Sequence, residues 1–70
     1  PDRRAYVKAM DFASLQPEEC ILIEDSLVNV VTAKELGITT VLVGEGVHAH
    51  GAHYHIDRIT DLENLMNRLQ

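Results

Sequence analysis

The sequence predicts an α/β fold built on a parallel sheet, and three observations carry that expectation. Two short apolar runs, Cys20-Ile21-Leu22-Ile23 and Thr39-Thr40-Val41-Leu42-Val43, have the continuous, β-branched character of strands covered on both faces. Between them lies a capped helical stretch of about ten residues, and a strand, helix, strand order with a right-handed crossover makes the two strands parallel. Amphipathic helical patterns stand at both ends of the chain.

Each element has its own signal. Tyr6, Ala9, Met10 and Ala13 fall at i, i+3, i+4 and i+7, which predicts a helix over Arg3 to Ala13 with Asp2 as its N-cap. Ser14-Leu15-Gln16-Pro17 breaks the pattern, and Pro17-Glu18-Glu19 suits a short turn into the first strand. That strand ends in two carboxylates, Glu24 and Asp25. Ser26 reads as the N-cap of a helix from Leu27 to Leu36, and Gly37 takes the left-handed position past its end. Gly44 to His53 is a Gly- and His-rich loop without periodicity. Its opening Gly44-Glu45-Gly46 lacks the third glycine and following helix of a phosphate loop, and signals only a turn. Tyr54-His55-Ile56 reads as a short edge strand. Thr60 and Glu63 have capping-box spacing, and Leu62, Leu65, Met66 and Leu69 predict a final amphipathic helix. There is no internal repeat and no low-complexity tract.

Composition narrows the function. The chain has 70 residues, 46% of them apolar, and its 11 acids against 6 bases give a net charge of −5. That is one small domain or part of one, and a chain of this size buries only about 60% of its unfolded surface. A single cysteine, Cys20, allows no internal disulfide and fits a reducing compartment, so a cytoplasmic location is expected. No apolar run approaches the ~18 residues of a membrane span. The acidic balance argues against nucleic acid, since Arg3, Arg4 and Lys8 form a lone basic cluster flanked by Asp2 and Asp11. A start at Pro1 rather than Met leads us to expect numbering that opens inside a longer protein.

The segment richest in chemistry is Glu24-Asp25-Ser26-Leu27-Val28-Asn29. Open α/β sheets bind ligands outside the carboxyl ends of their strands, and here adjacent acids are followed by a helix N-terminus. Mg²⁺ takes hard oxygen ligands, usually one or two carboxylates with water and substrate phosphate, and the first helical amides favour an anion nearby. The competing reading is a solvated turn in which Asp25 and Ser26 only cap. His48, His50, His53 and His55 are spaced H-x-H-x-x-H-x-H, and imidazoles bind Zn²⁺, Ni²⁺ and Cu²⁺. That spacing matches no structural zinc pattern, so a solvated loop that charges below the ordinary imidazole pKa of ~6.5 is the favoured reading. Cys20 is expected to be an inert core thiol, and Tyr6, Met10 and Phe12 to be core side chains.

In order along the chain stand Pro1-Asp2, the helix to Ala13, Pro17-Glu18-Glu19-Cys20, Glu24-Asp25-Ser26, Ala33, Leu36-Gly37 and Thr40-Val41-Leu42-Val43. This series resembles the haloacid dehalogenase-like (HAD) phosphohydrolases, closely from residue 1 to about 46 and loosely thereafter. The resemblance implies a parallel three-layer Rossmann-like sheet, of which the 70 residues form a single partial domain, the C-terminal portion of the core, without the substrate-selecting cap domain. It implies that Asp25 is a Mg²⁺ ligand, that Glu24 is a ligand or a partner behind one, and that Ser26 and Asn29 shape the loop. The Asp25-Ser26-x-x-Asn29 spacing looks most like the pyrimidine 5′-nucleotidase branch, although Asn29 as a local helix-start residue is an equal alternative.

Family members form an aspartyl-phosphate on an Asp-x-Asp motif, with a Ser or Thr and a lysine at the phosphate. The 70 residues contain no Asp-x-Asp, and the lysine position falls immediately before Pro1. Lys8 and Lys34 are poorly placed to replace it. No catalytic residue is therefore assigned, and the chain alone is expected to be inactive. The resemblance implies a segment of a Mg²⁺-dependent hydrolase of a small phosphomonoester such as a nucleoside monophosphate. The alternatives are a non-catalytic binding or assembly module, and after it a histidine-loop metal binder. An unpaired first strand is expected to favour self-association.

Overall fold

The computed structural model describes residues 2–45 and 51–70. In chain order these form α1 (Arg3–Ala13), a 3₁₀ turn (Pro17–Glu19), β1 (Ile21–Glu24), α2 (Leu27–Glu35), β2 (Thr39–Val43), β3 (Tyr54–Ile56), a second 3₁₀ turn (Ile59–Asp61) and α3 (Leu62–Arg68). Asp2 caps α1 as expected, its Oδ1 accepting the Arg4 N–H at 2.9 Å. The Arg4 guanidinium and then that same amide hold the Asp2 carboxyl below its ordinary range. Ser14 ends the helix in the left-handed conformation, φ 59°.

The sheet runs β1-β2-β3 with both pairings parallel. Ile21 stands opposite Thr39 and Glu24 opposite Leu42, while Val41 stands opposite Tyr54 and Val43 opposite Ile56. The two-residue alternation then separates two cores. Met10 of α1 and Ala33 of α2 cluster with Ile38, and Leu22, Cys20, Tyr6 and Leu36 pack against them on one side. Val41, Ile56 and Leu65 of α3 cluster with Val43, Tyr54 and Leu62 on the other. The result is the expected α/β arrangement of a parallel sheet between helices.

β2 is the central strand, and its Val41, Leu42 and Thr40 are wholly excluded from solvent. Gly37 follows α2 at φ +92°, where its missing side chain also lets it approach Pro17; a Cβ there would lie 3.4 Å from Pro17 Cβ.

Some details differ from what the sequence predicts. β1 is not covered on both faces: Ile21 and Ile23 are 44% and 38% exposed. α1 and α2 cover the Leu22 side, whereas the α3 cluster is built on β2 and β3 and does not include β1. Phe12 is not core but 94% exposed, because two residues past Met10 is about 200° around the helix from the buried stripe. The entry to α3 uses a different cap from Thr60-x-x-Glu63. Asp61 Oδ2 accepts the Arg58 N–H at 3.1 Å, and the chain enters the helix through the 3₁₀ turn. Among the described residues, no helix is long and apolar enough to cross a membrane.

Candidate functional site

The parallel sheet brings the carboxyl ends of its strands to one edge, and β1 delivers Glu24 and Asp25 there directly in front of α2. The turn between strand and helix is tied by a small network. Glu24 Oε2 accepts the backbone N–H groups of Asp25 at 2.7 Å and Ser26 at 2.9 Å. Its Oε1 accepts from the Asn29 side-chain amide at 3.1 Å. Ser26 Oγ accepts the Asn29 N–H at 3.4 Å, and the Ser26 carbonyl takes the Val30 N–H at 3.0 Å. Ser26 is thus the N-cap of α2, as expected from its position before the helix.

Both oxygens of Glu24 are therefore occupied by N–H donors of its own turn. The Ser26 amide, then the Asn29 side chain, with smaller contributions from Asp25, hold the Glu24 carboxyl below its ordinary value of 4.5. A carboxylate held this way stays ionised and folded back on the backbone.

Asp25 is placed differently. Its side chain is exposed, accepts no hydrogen bond from an N–H donor and makes no ion pair among the described residues, and it lies beside the Glu24 carboxyl, whose lowered value it shares in setting. Sequence spacing pairs the two acids as neighbours, and in the fold Glu24 ties the turn while Asp25 stays exposed beside it. Among the described residues, no group of three or more His, Cys, Asp or Glu side chains gathers as a metal cage. An exposed carboxylate beside a helix N-terminus fits Mg²⁺, which keeps several waters and takes one or two protein carboxylates with phosphate oxygens. It does not fit a closed structural zinc site.

The histidines do not converge on this turn. His48 and His50, with Gly46, lie outside the described residues. His53 Nδ1 accepts the Thr40 N–H at 3.0 Å. His55 Nε2 lies 2.7 Å from the Gly44 carbonyl, to which it donates, and 3.7 Å from Asp57 Oδ1. Cys20 is half-buried, with its thiol 3.5 Å from the Gln16 carbonyl, and packs against the α1–α2 core. Sequence reasoning missed the role of His53, whose partner is 13 residues away and carries no local pattern. It also did not show that N–H donors of the turn take up both oxygens of Glu24.

No curated protein matches the chain. A family model described as HAD-hydrolase-like matches residues 1–65, from α1 through β3 and into α3. With the parallel sheet and its acidic strand end, that match makes this chain a member of the HAD-hydrolase-like family.

Proposed function

We propose that this chain is the C-terminal portion of a Mg²⁺-dependent phosphomonoester hydrolase and contributes its acidic metal-binding turn. The observation that carries the reading is the division of labour at the end of β1. Glu24 is folded back onto Asp25 N–H, Ser26 N–H and Asn29, and Asp25 beside it keeps an exposed carboxylate that no N–H donor among the described residues occupies. In this reading Asp25 would hold the Mg²⁺. When bound, the ion would offset negative charge on the phosphoryl group of the substrate. Glu24, with Asn29 and Ser26, fixes the backbone that aims Asp25, and the unpaired amides at the start of α2 favour an anion in front of them. A nucleoside monophosphate is the substrate class suggested by the Asp25-Ser26-x-x-Asn29 spacing.

The experiment has two arms. Mn²⁺, as a paramagnetic stand-in for Mg²⁺, is titrated into the 70-residue chain, and broadening of the Asp25 and Ser26 amide signals is expected to vanish in Asp25→Asn. Equal broadening in the variant would remove Asp25 from the metal site. In the second arm, the product of the whole parent gene is assayed for Mg²⁺-dependent phosphate release from nucleoside monophosphates. Release abolished by Asp25→Asn supports the hydrolase. Metal binding without any turnover supports instead a module that keeps the turn and lacks the chemistry.

A further inference from the structure

We infer that His53 is a pH-sensitive clasp joining the start of β3 to β2, independent of any metal at Asp25. Its ring nitrogen Nδ1 lies 3.0 Å from the backbone nitrogen of Thr40. A backbone N–H can only donate, so Nδ1 carries a lone pair and the ring is the neutral Nε2–H tautomer. Thr40 Oγ1 stands 3.0 Å from the same Nδ1 and also accepts the His53 backbone N–H at 3.0 Å. Thr40 and His53 therefore grip one another by backbone and side chain.

The position explains what the grip does. The β2–β3 ladder begins with Val41 opposite Tyr54, so Thr40 and His53 occupy the preceding register position, where no strand partner follows. Thr40 is wholly buried with the exposed His53 over it, so its amide has no water partner while the ring is in place. The imidazole supplies the acceptor that a longer β3 would have supplied. Two residues earlier, Gly51 has φ +102°, and a Cβ there would lie 3.0 Å from Val31 Cγ2 and 3.7 Å from Leu27 Cδ1. The clasp thus also holds the approach to β3 close against α2.

A proton on Nδ1 turns the acceptor into a donor aimed at another donor. The buried Thr40 amide then loses its partner, the costly case for a hydrogen-bonding group inside a protein. The titratable groups on the elements packed alongside are Tyr54 and His55 of β3 and Lys34 and Glu35 of α2, the latter two exposed, while β2 has none. Among the described residues, no carboxylate lies within 4 Å of the His53 ring nitrogens, whereas His55 has Asp57 at 3.7 Å. A neighbouring carboxylate would keep a protonated ring in place; His53 has no such counterweight.

The test is nuclear magnetic resonance on the 70-residue chain between about pH 8 and pH 5, the span in which imidazoles gain their proton. Long-range ¹⁵N–¹H spectra at the alkaline end should show His53 as the Nε2–H tautomer. Protection of the Thr40 amide, corrected for the intrinsic pH dependence of exchange, should fall at least tenfold on acidification, while that of Val30 in α2 falls less. His53→Asn keeps an acceptor oxygen without a titrating ring, and its Thr40 protection should not change over the same range. An Nδ1–H tautomer, or protection in the native chain that ignores pH, overturns the clasp. Equal loss in native chain and variant overturns it too, by assigning the change to another group. Should the variant not fold, the tautomer and the native titration decide alone.

Discussion

Asn29 holds Glu24 in place: the Asn29 side-chain amide donates to Glu24 Oε1 at 3.1 Å, joining the end of β1 to the first turn of α2. Asn29→Ala removes that donor and is expected to cost about 0.5–1.5 kcal/mol of stability. Urea denaturation should show a lower midpoint with an unchanged slope. Asn29→Asp should be worse than Asn29→Ala, because it sets a second carboxylate against Glu24, and added salt should reduce the difference. An Asn29→Asp midpoint equal to that of the native chain would show that the bond does not form.

The same network makes stability depend on pH with a definite sign. Glu24 titrates below its ordinary value of 4.5 in the folded chain. Its contribution is therefore complete above that ordinary value and is lost as pH falls through the lower folded value. Comparing urea midpoints of the native chain and Glu24→Gln from neutral pH into the acid range should show the two curves converging as Glu24 protonates. Parallel curves throughout would mean that the carboxylate gains nothing from its amide partners.

Ser14 closes α1 with φ 59° and ψ 39°, and the Leu15 N–H reaches back to the Met10 carbonyl at 2.9 Å. A residue with a Cβ is strained in that conformation, while glycine is not. Ser14→Gly should raise stability by about 0.5–1 kcal/mol, or a few degrees in Tm for a chain of this size. A fall in Tm would mean that the hydroxyl contributes more than the backbone geometry costs.

β1 is an edge strand, and the Thr39 N–H donates to the Cys20 carbonyl, so alternation turns the amides and carbonyls of Ile21 and Ile23 to the open side. Together with their half-exposed side chains, these groups should drive association of the isolated chain. Because Glu18, Glu19, Glu24 and Asp25 flank the edge, sedimentation at micromolar concentration should show association that increases with salt. Ile23→Lys should abolish it. A native chain that stays monomeric at every ionic strength, with slowly exchanging Ile21 and Ile23 amides, would show that the edge is covered.

The sequence read best where structure is local. α1 and its Asp2 cap, β2, β3 and the Ser26 cap stand where their patterns placed them, because spacing and side-chain length decide such features within a few residues. Across longer separations it read less well. Cys20 to Ile23 is apolar on both faces of a strand, yet what covers each face depends on where α3 packs, and that is not encoded in the run itself. Thr60 and Glu63 have the spacing of a capping box, but Asp61 reached Arg58 first and a 3₁₀ turn took the place of the cap. At the end of β1 the grouping of Glu24, Asp25, Ser26 and Asn29 in one turn was legible from their order, while the fold of Glu24 back onto three amides depends on directions that only the turn determines.

The carboxylates at the end of β1 also act as gatekeepers. Ile21-Leu22-Ile23 is a β-prone apolar segment on an open edge, the material from which cross-β stacks nucleate. In such a stack identical residues recur every ~4.8 Å, so each added chain would set Asp25 against Asp25 and Glu24 against Glu24 on one side and Glu19 against Glu19 on the other. That repulsion permits a small assembly but opposes an indefinite one. The acids that close β1 thus also limit the strand that carries them.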